Sequence, residues 1–277
     1  MFPIILEANS EIHSEHIGFH DPIYRKRRLE IVQLTQSFDL QKRNYPVISY
    51  LPSEIETWNI VFDKLNELYP MVCCSTYLEN LEILKKEGIF QPNQIPKLEI
   101  VSDFLEKRTG YRLYPVSGLL TPAQFLNGLA SKIFYCTQYI RHPNDPFYTP
   151  EPDIIHEMLG HVPLFLDPHI CKISEMIGKA SLICSENMIE QLEKIYWFTI
   201  EFGLIRVKNE YKIYGAGILS SYGEIQKIIH SNLPILPFEI QKIIHDQPLI
   251  TQMQQNYYWI ESLEDLQNKI EKFLINY

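Results

Sequence analysis

The sequence predicts a mainly α-helical fold, a single domain of many helices with a few short β-strands. Three observations carry this prediction. Apolar residues recur at helical spacing through most of the chain. Capping residues and prolines mark where those segments begin. Strand-like stretches are few and short, which excludes a doubly wound sheet.

The elements can be justified in order. Residues 1–50 read as an irregular polar lead, with one helix starting at the basic knot Arg25–Arg28 and running to about Phe38. A helix follows Pro52, with Ser53 as N-cap and Glu56 closing a capping box. Ile55, Trp58, Phe62, Leu65 and Leu68 form its apolar face. Thr76 and Glu79 open a short helix ending at Gly88, and another covers Lys97–Lys107 and stops before Gly110. Thr121-Pro122-Ala123-Gln124 is a helix start with threonine as N-cap, proline at the first position and glutamine at the third. Phe125, Leu126, Leu129, Ile133 and Phe134 are expected on its inner side. Pro143, Pro146, Pro150 and Pro152 impose a stiff extended loop. Helices are expected over 152–162, 168–182 and 186–202, with Asp167 and Ser185 as caps and Gly203 as the residue past the last end. Leu204–Val207 and Tyr211–Tyr214 read as a hairpin, Tyr257–Ile260 as a strand, and Ser262 caps a terminal amphipathic helix.

Composition narrows the function. The 277 residues suffice for a sizeable core. A net charge of −9 disfavours nucleic acid and anionic membrane surfaces as partners. Five cysteines in no framework pattern fit a reducing compartment, and the absence of a basic, apolar leader fits a cytoplasmic protein. No stretch is apolar enough to span a bilayer. The 12% of aromatic residues read first as core filling.

The densest cluster of reactive residues is Pro152–Pro163, where His156 and His161 lie five apart and Glu157 follows the first. This is not the H-E-x-x-H spacing of zinc proteases. On an ideal helix, residues five apart diverge by roughly 140°. Convergence therefore requires the helix to end or distort, and Gly160 and Pro163 are expected to end it. Glu201 lies in the otherwise apolar run Tyr196–Gly203, broken only by Thr199, where an unpaired carboxylate would be costly. Two histidines and one carboxylate with open positions match the facial triad that binds Fe(II). His13, His16 and His20, in a polar segment, read as solvated surface. A zinc hydrolase with Glu157 as general base, and a silent protein with a structural metal, are the competing readings.

The run from Pro115 to Glu224 resembles the catalytic domain of the biopterin-dependent aromatic amino acid hydroxylases. The matching stretches are Gly118–Leu120, Cys136–His142, Tyr148–Asp153, His156–Pro163, Tyr196–Thr199 with Glu201–Gly203, and Tyr214–Ser221. Weaker similarity reaches from Gly18–Pro22 to Tyr257–Leu263. The resemblance implies that family's fold, Fe(2+), tetrahydrobiopterin or a related tetrahydropterin, and O2 as co-substrate. It implies His156, His161 and Glu201 as iron ligands, and Glu157 as a catalytic acid beside the pterin. Gly118, Leu120, Phe125 and Tyr196 are implied at the pterin. Arg141, Thr149, Asp153, Trp197, Gly217, Ser220 and Ile250 are implied at the amino acid. Phenylalanine is the favoured substrate, through Trp197 and the apolar Ile250, with tryptophan or mixed specificity as the alternative that Leu249-Ile250-Thr251 suggests. Glu193, Pro122 and Tyr135 depart from the family pattern near the pterin. The length matches the catalytic domain alone, as in bacterial members, which implies a monomer or weak oligomer.

Overall fold

A computed structural model describes residues 12, 14–249 and 252–276. The first helix, α1 (Pro22–Thr35), begins earlier than the basic knot. Asp21 caps it by accepting the amides of Ile23 and Tyr24, so the preceding Asp-Pro sets its start. Helix α2 (Pro52–Val72) also starts earlier than expected. Pro52 is its first residue, and Glu54, not Glu56, closes back onto the Leu51 amide at 2.6 Å. Ser53 is inside the helix. Helices α3 (Ser75–Lys86) and α4 (Leu98–Thr109) end as anticipated, with Gly88 and Gly110 at φ of +70° and +81°.

Helix α5 (Pro122–Ala130) carries the expected capping box. Thr121 Oγ1 accepts the Gln124 amide and Gln124 Oε1 accepts the Thr121 amide. Thr121→Ala is expected to cost about 1 kcal/mol in a urea melt. A loss well under half of that, with unchanged slope, would show the cap to be redundant.

The helix ends sooner than its apolar spacing suggested. Ile133 and Phe134 belong to strand β2 (Ile133–Cys136), which pairs in parallel with β1 (Arg112–Pro115). Neither strand stood out in the sequence, because β2 is buried on both faces and four residues show no alternation. A turn with Lys132 at φ 55° separates α5 from β2.

The next helical stretch is a π-helix, His156–His161, continued by the single turn α6 (Val162–Leu164). Then come α7 (Pro168–Ser181), capped by Asp167, and α8 (Glu186–Tyr196), capped by Ser185. Helix α8 runs into a second π-helix, Trp197–Glu201. Gly203 is not a left-handed cap. It starts strand β3 (Gly203–Val207), and any Cβ there would meet the Thr199 carbonyl and the Tyr214 hydroxyl at 2.3 Å. Strand β4 (Glu210–Ile213) completes the hairpin. Short helices α9 (Ala216–Leu219) and α10 (Tyr222–His230), strand β5 (Ile235–Pro237) and α11 (Ile240–Ile243) follow. Strand β6 (Tyr257–Ile260) lies between β3 and β5, parallel to both, and α12 (Leu263–Ile275) closes the order with Ser262 as cap.

One buried apolar cluster extends from Phe38 to Ile270 and surrounds both π-helices. The amino-terminal lead is tied to the proline-rich loop. Arg28 forks onto Glu151 at 2.8 and 2.6 Å and lies over the Tyr139 ring at 3.8 Å. Tyr24 donates to the Ile140 carbonyl. His16 is buried at 3% exposure and stacked on Tyr24, so the expectation of a solvated surface fails for it. His13 lies outside the described residues. The five cysteines are free, and no described helix is long and apolar enough to cross a membrane.

Candidate iron centre and substrate cleft

The two histidines converge through a change of helix type. In a π-helix the backbone hydrogen bonds join residues five apart, which brings such residues toward one side. His156 and His161 are the ends of such a turn, and their Nε2 atoms are 3.0 Å apart. Gly160 therefore does not end the helix. It lets α9 approach, since a Cβ there would sit 2.7 Å from the Ala216 carbonyl.

The second π-helix delivers Glu201 opposite the pair. Its carboxylate lies 3.1 Å from His161 Nε2 and 3.7 Å from His156 Nε2. These three side chains form the metal-capable group found among the described residues. Donors at about 2.1 Å and right angles around one cation lie about 3.0 Å from each other, close to this spacing. The protonation states fit as well. Ser220 Oγ donates to the Ala216 carbonyl, so it accepts from His156 Nδ1 at 2.9 Å. That leaves the Nε2 lone pair of His156 facing the centre. Burial pushes the His156 pKa down to about 4, so the ring is neutral at pH 7. Burial opposes charge on His161 too, but the Glu201 carboxylate outweighs it and raises that pKa. Glu201 is held below its usual range by His161, against its own burial. His161 Nε2 and the Glu201 carboxylate thus face each other across the place that suits a divalent cation.

His156 and Glu201 open onto a cleft of about 200 Å³. Arg141, Thr149, Trp197, Gly217 and Ser220 also line it. Arg141 is 2% exposed and forks onto Asp153, with Nε and Nη2 each 2.8 Å from a carboxylate oxygen. Asp153 further accepts the amides of Arg141 and His156 at 2.8 and 3.0 Å. One carboxylate therefore couples the guanidinium to the first residue of the first π-helix. The Nη1 of Arg141 has only long contacts, 3.4 Å to the Pro146 carbonyl and 3.3 Å to that of Ser220. That edge is the one left for a ligand.

The model of the family described as biopterin-dependent aromatic amino acid hydroxylase matches residues 2–276. The chain is 44% identical to human phenylalanine-4-hydroxylase over 97% of its own length and 59% of the relative's. It is 42% identical to the tryptophan 5-hydroxylase of Xenopus laevis, over 97% and 56%. Among solved structures, phenylalanine hydroxylase of Chromobacterium violaceum with bound iron(III) and 7,8-dihydrobiopterin superposes with a TM-score of 0.79. That match has 28% identity and covers 92% of this chain and 91% of the other.

The chain is a biopterin-dependent aromatic amino acid hydroxylase by family.

It spans somewhat under three fifths of the length of the curated relatives quoted. The fold is that family's catalytic-domain fold. Within this hydroxylase frame, the residues expected at the pterin gather around Phe125 rather than along the cleft. The Phe125 ring meets Tyr196 at 5.3 Å and Phe134 at 5.9 Å, and Phe134 meets the iron-site ring of His161 at 4.5 Å. Leu120 packs with Phe125 against Val116, Ile133 and Tyr135, and Gly118 is buried beside them in sequence. Glu157 is buried, with Oε1 accepting both the amide and hydroxyl of Thr137 at 2.9 and 2.8 Å. Burial lifts its pKa to about 7, while nearby His161 and Thr137 work against the rise.

The three departures have visible places. Pro122 is the first residue of α5, where its missing N–H costs nothing. The Tyr135 ring occupies the space where a Cβ on Gly128 would go. Glu193 is half-buried on α8, one turn before Tyr196, and burial raises its pKa. Ile250 lies outside the described residues. Glu224 and Met253 line the cleft without having been singled out in the sequence. Glu224 lies in the first turn of α10, with its amide bound to Ser221.

Proposed function

We propose that this chain hydroxylates the ring of an aromatic amino acid, phenylalanine to tyrosine, using Fe(2+), a tetrahydropterin and O2. The observation that carries the reading is the convergence of His156, His161 and Glu201 beside a cleft lined by Arg141 and Trp197. When bound, iron and reduced pterin supply the activation of dioxygen.

The side chains do the rest. Arg141 Nη1 receives the substrate carboxylate while Asp153 fixes the guanidinium plane. Thr149, Gly217 and Ser220 line the same cleft, and Trp197 bounds the ring, to which we assign Ile250 as well. Phe125 offers a face for the flat pterin, with Leu120 and Tyr196 around it, and we assign Gly118 to the pterin as well. Glu157, with a pKa of about 7, holds or releases a proton at its Oε2 near neutral pH. We read the chain as one catalytic domain, a monomer or weak oligomer, cytoplasmic, and meeting small molecules rather than nucleic acid or membrane.

The test is a product assay with phenylalanine, tryptophan and tyrosine, Fe(2+) and tetrahydrobiopterin. Tyrosine from phenylalanine is the expected product. No hydroxylated product from any of them, with iron shown bound, overturns the reading. The human and frog relatives act on phenylalanine and tryptophan respectively at nearly equal identity, so the assay also ranks those two substrates.

Ser220 gives a second test. It fixes the tautomer of His156, and loss of such a partner weakens metal affinity about 10–100-fold. Ser220→Ala is expected to need that much more Fe(2+) for half-saturation in a chelator competition, with an unchanged melting temperature. Unaltered affinity would mean that Ser220 does not set the ligand's tautomer.

A further inference from the structure

Trp197 forms one wall of the cleft, and its indole is tethered from behind. Its Nε1–H donates to Gln254 Oε1 at 3.2 Å. Gln254 does not line the cleft and is 1% exposed. Its Nε2 donates to the Leu249 carbonyl at 2.6 Å, and its amide donates to Glu224 Oε1 at 2.9 Å. The other Glu224 oxygen accepts the Tyr257 hydroxyl. Lys227 Nζ reaches the Gln254 carbonyl at 2.5 Å. Trp197, Leu249 and Glu224 all line the cleft. One buried side chain and its amide thus join three parts of the wall that are remote in sequence.

A buried amide side chain is costly unless both its ends are bonded, and an apolar residue would fill the same space without that requirement. Here each end of the amide is bonded to a different wall of the cleft. We propose that Gln254 is a positioning residue that sets discrimination between phenylalanine and tryptophan, by holding the Trp197 indole through its Nε1–H. The proposal rests on the hydroxylase reading above. With the indole pinned, the cleft has one width. When the Nε1 tether is lost, the ring can tilt, and the room for a larger substrate side chain changes. Arg141, Asp153 and the three iron-site residues make no hydrogen bond with Gln254, so binding of the amino acid's carboxylate is untouched.

The experiment compares kcat and KM for phenylalanine and tryptophan in the wild type, Gln254→Met and Gln254→Glu. Methionine keeps the volume and removes both hydrogen-bonding ends. Glutamate keeps an acceptor for the indole and, when ionised, loses the donor to Leu249. Gln254→Met is expected to shift the phenylalanine-to-tryptophan ratio of kcat/KM about tenfold toward tryptophan, mainly through KM, since a remodelled apolar wall changes discrimination on that scale. Gln254→Glu is expected to keep the ratio within about twofold while raising KM for both substrates. An unchanged ratio in a folded Gln254→Met protein overturns the proposal. So does a ratio shift in Gln254→Glu, which remains decisive if the methionine variant does not fold. A wild type that hydroxylates neither amino acid defeats the hydroxylase reading instead, so the two failures are separable.

Discussion

Replacing His156 with alanine is expected to abolish iron binding and hydroxylation while leaving the fold standing. The geometry distinguishes this substitution from the other two at the centre. His161 and Glu201 stabilise each other across 3.1 Å in a buried setting, so removing either strands the partner. His156 is held neutral by burial, with a pKa of about 4, and its loss leaves that pair intact. The cost to stability is then the lost packing of one partly exposed ring, about 1–2 kcal/mol. Activity falls by at least about 10³-fold, because the ligand set acts as a unit and not as three independent contributions. Iron content of the purified variant, its thermal melt and product formation check the claim together. A variant that keeps iron and turnover would remove His156 from the ligand set. One that fails to fold would favour a purely structural metal.

The candidate ligands stood out in the sequence because each residue was out of place there. Two histidines sat in an apolar helix, and a carboxylate sat in the run Tyr196–Gly203. How the histidines meet was not legible. The α-helical angle between residues 156 and 161 pointed to a break at Gly160, whereas the chain widens to a π-turn, which leaves no periodicity to read. The α5 boundary failed for a related reason. Ile133 and Phe134 fall in phase with the helix, and the left-handed Lys132 that ends it has no compositional mark. Caps read well where the side chain is the cap, as at Thr121, Asp167, Ser185 and Ser262. They read poorly where Pro52 fixed the start two residues earlier than the Ser53-Glu56 pattern implied. The far wall of the cleft depends on contacts between residues about thirty or more apart, such as Gln254 with Glu224 and with Trp197, and no local pattern announces them.

Asp153→Asn is the second substitution with a large expected effect, and it acts on stability and substrate binding at once. Each carboxylate oxygen of Asp153 already accepts two donors: Oδ2 from the Arg141 amide and Nε, Oδ1 from Arg141 Nη2 and the His156 amide. An asparagine can present one oxygen to such a pair, and its NH2 must then face the other two donors. Arg141, 2% exposed, is left without its counter-charge. Breaking a buried pair in this way costs about 3–5 kcal/mol, more than replacing both partners together would. Because Asp153 also holds the first residue of the iron-site turn, the guanidinium and His156 both lose alignment. A displacement near 1 Å lowers kcat/KM by roughly 10²-fold, with KM for the amino acid carrying most of the change. The pH dependence has a definite sign. Burial alone would raise the Asp153 pKa, but Arg141 and the amides of Arg141 and His156 outweigh it, and the folded value lies below the unfolded one. Such a carboxyl contributes stability that is complete above the unfolded pKa of about 3.9 and fades as pH falls through the folded value. Wild type should therefore lose stability below about pH 4 more steeply than Asp153→Asn, so the gap between the two denaturation curves narrows on acidification. A gap that stays constant from pH 7 to the acid limit would show that the charge of Asp153 contributes nothing to the fold. An unchanged KM for phenylalanine would show that the Arg141 fork does not hold the substrate.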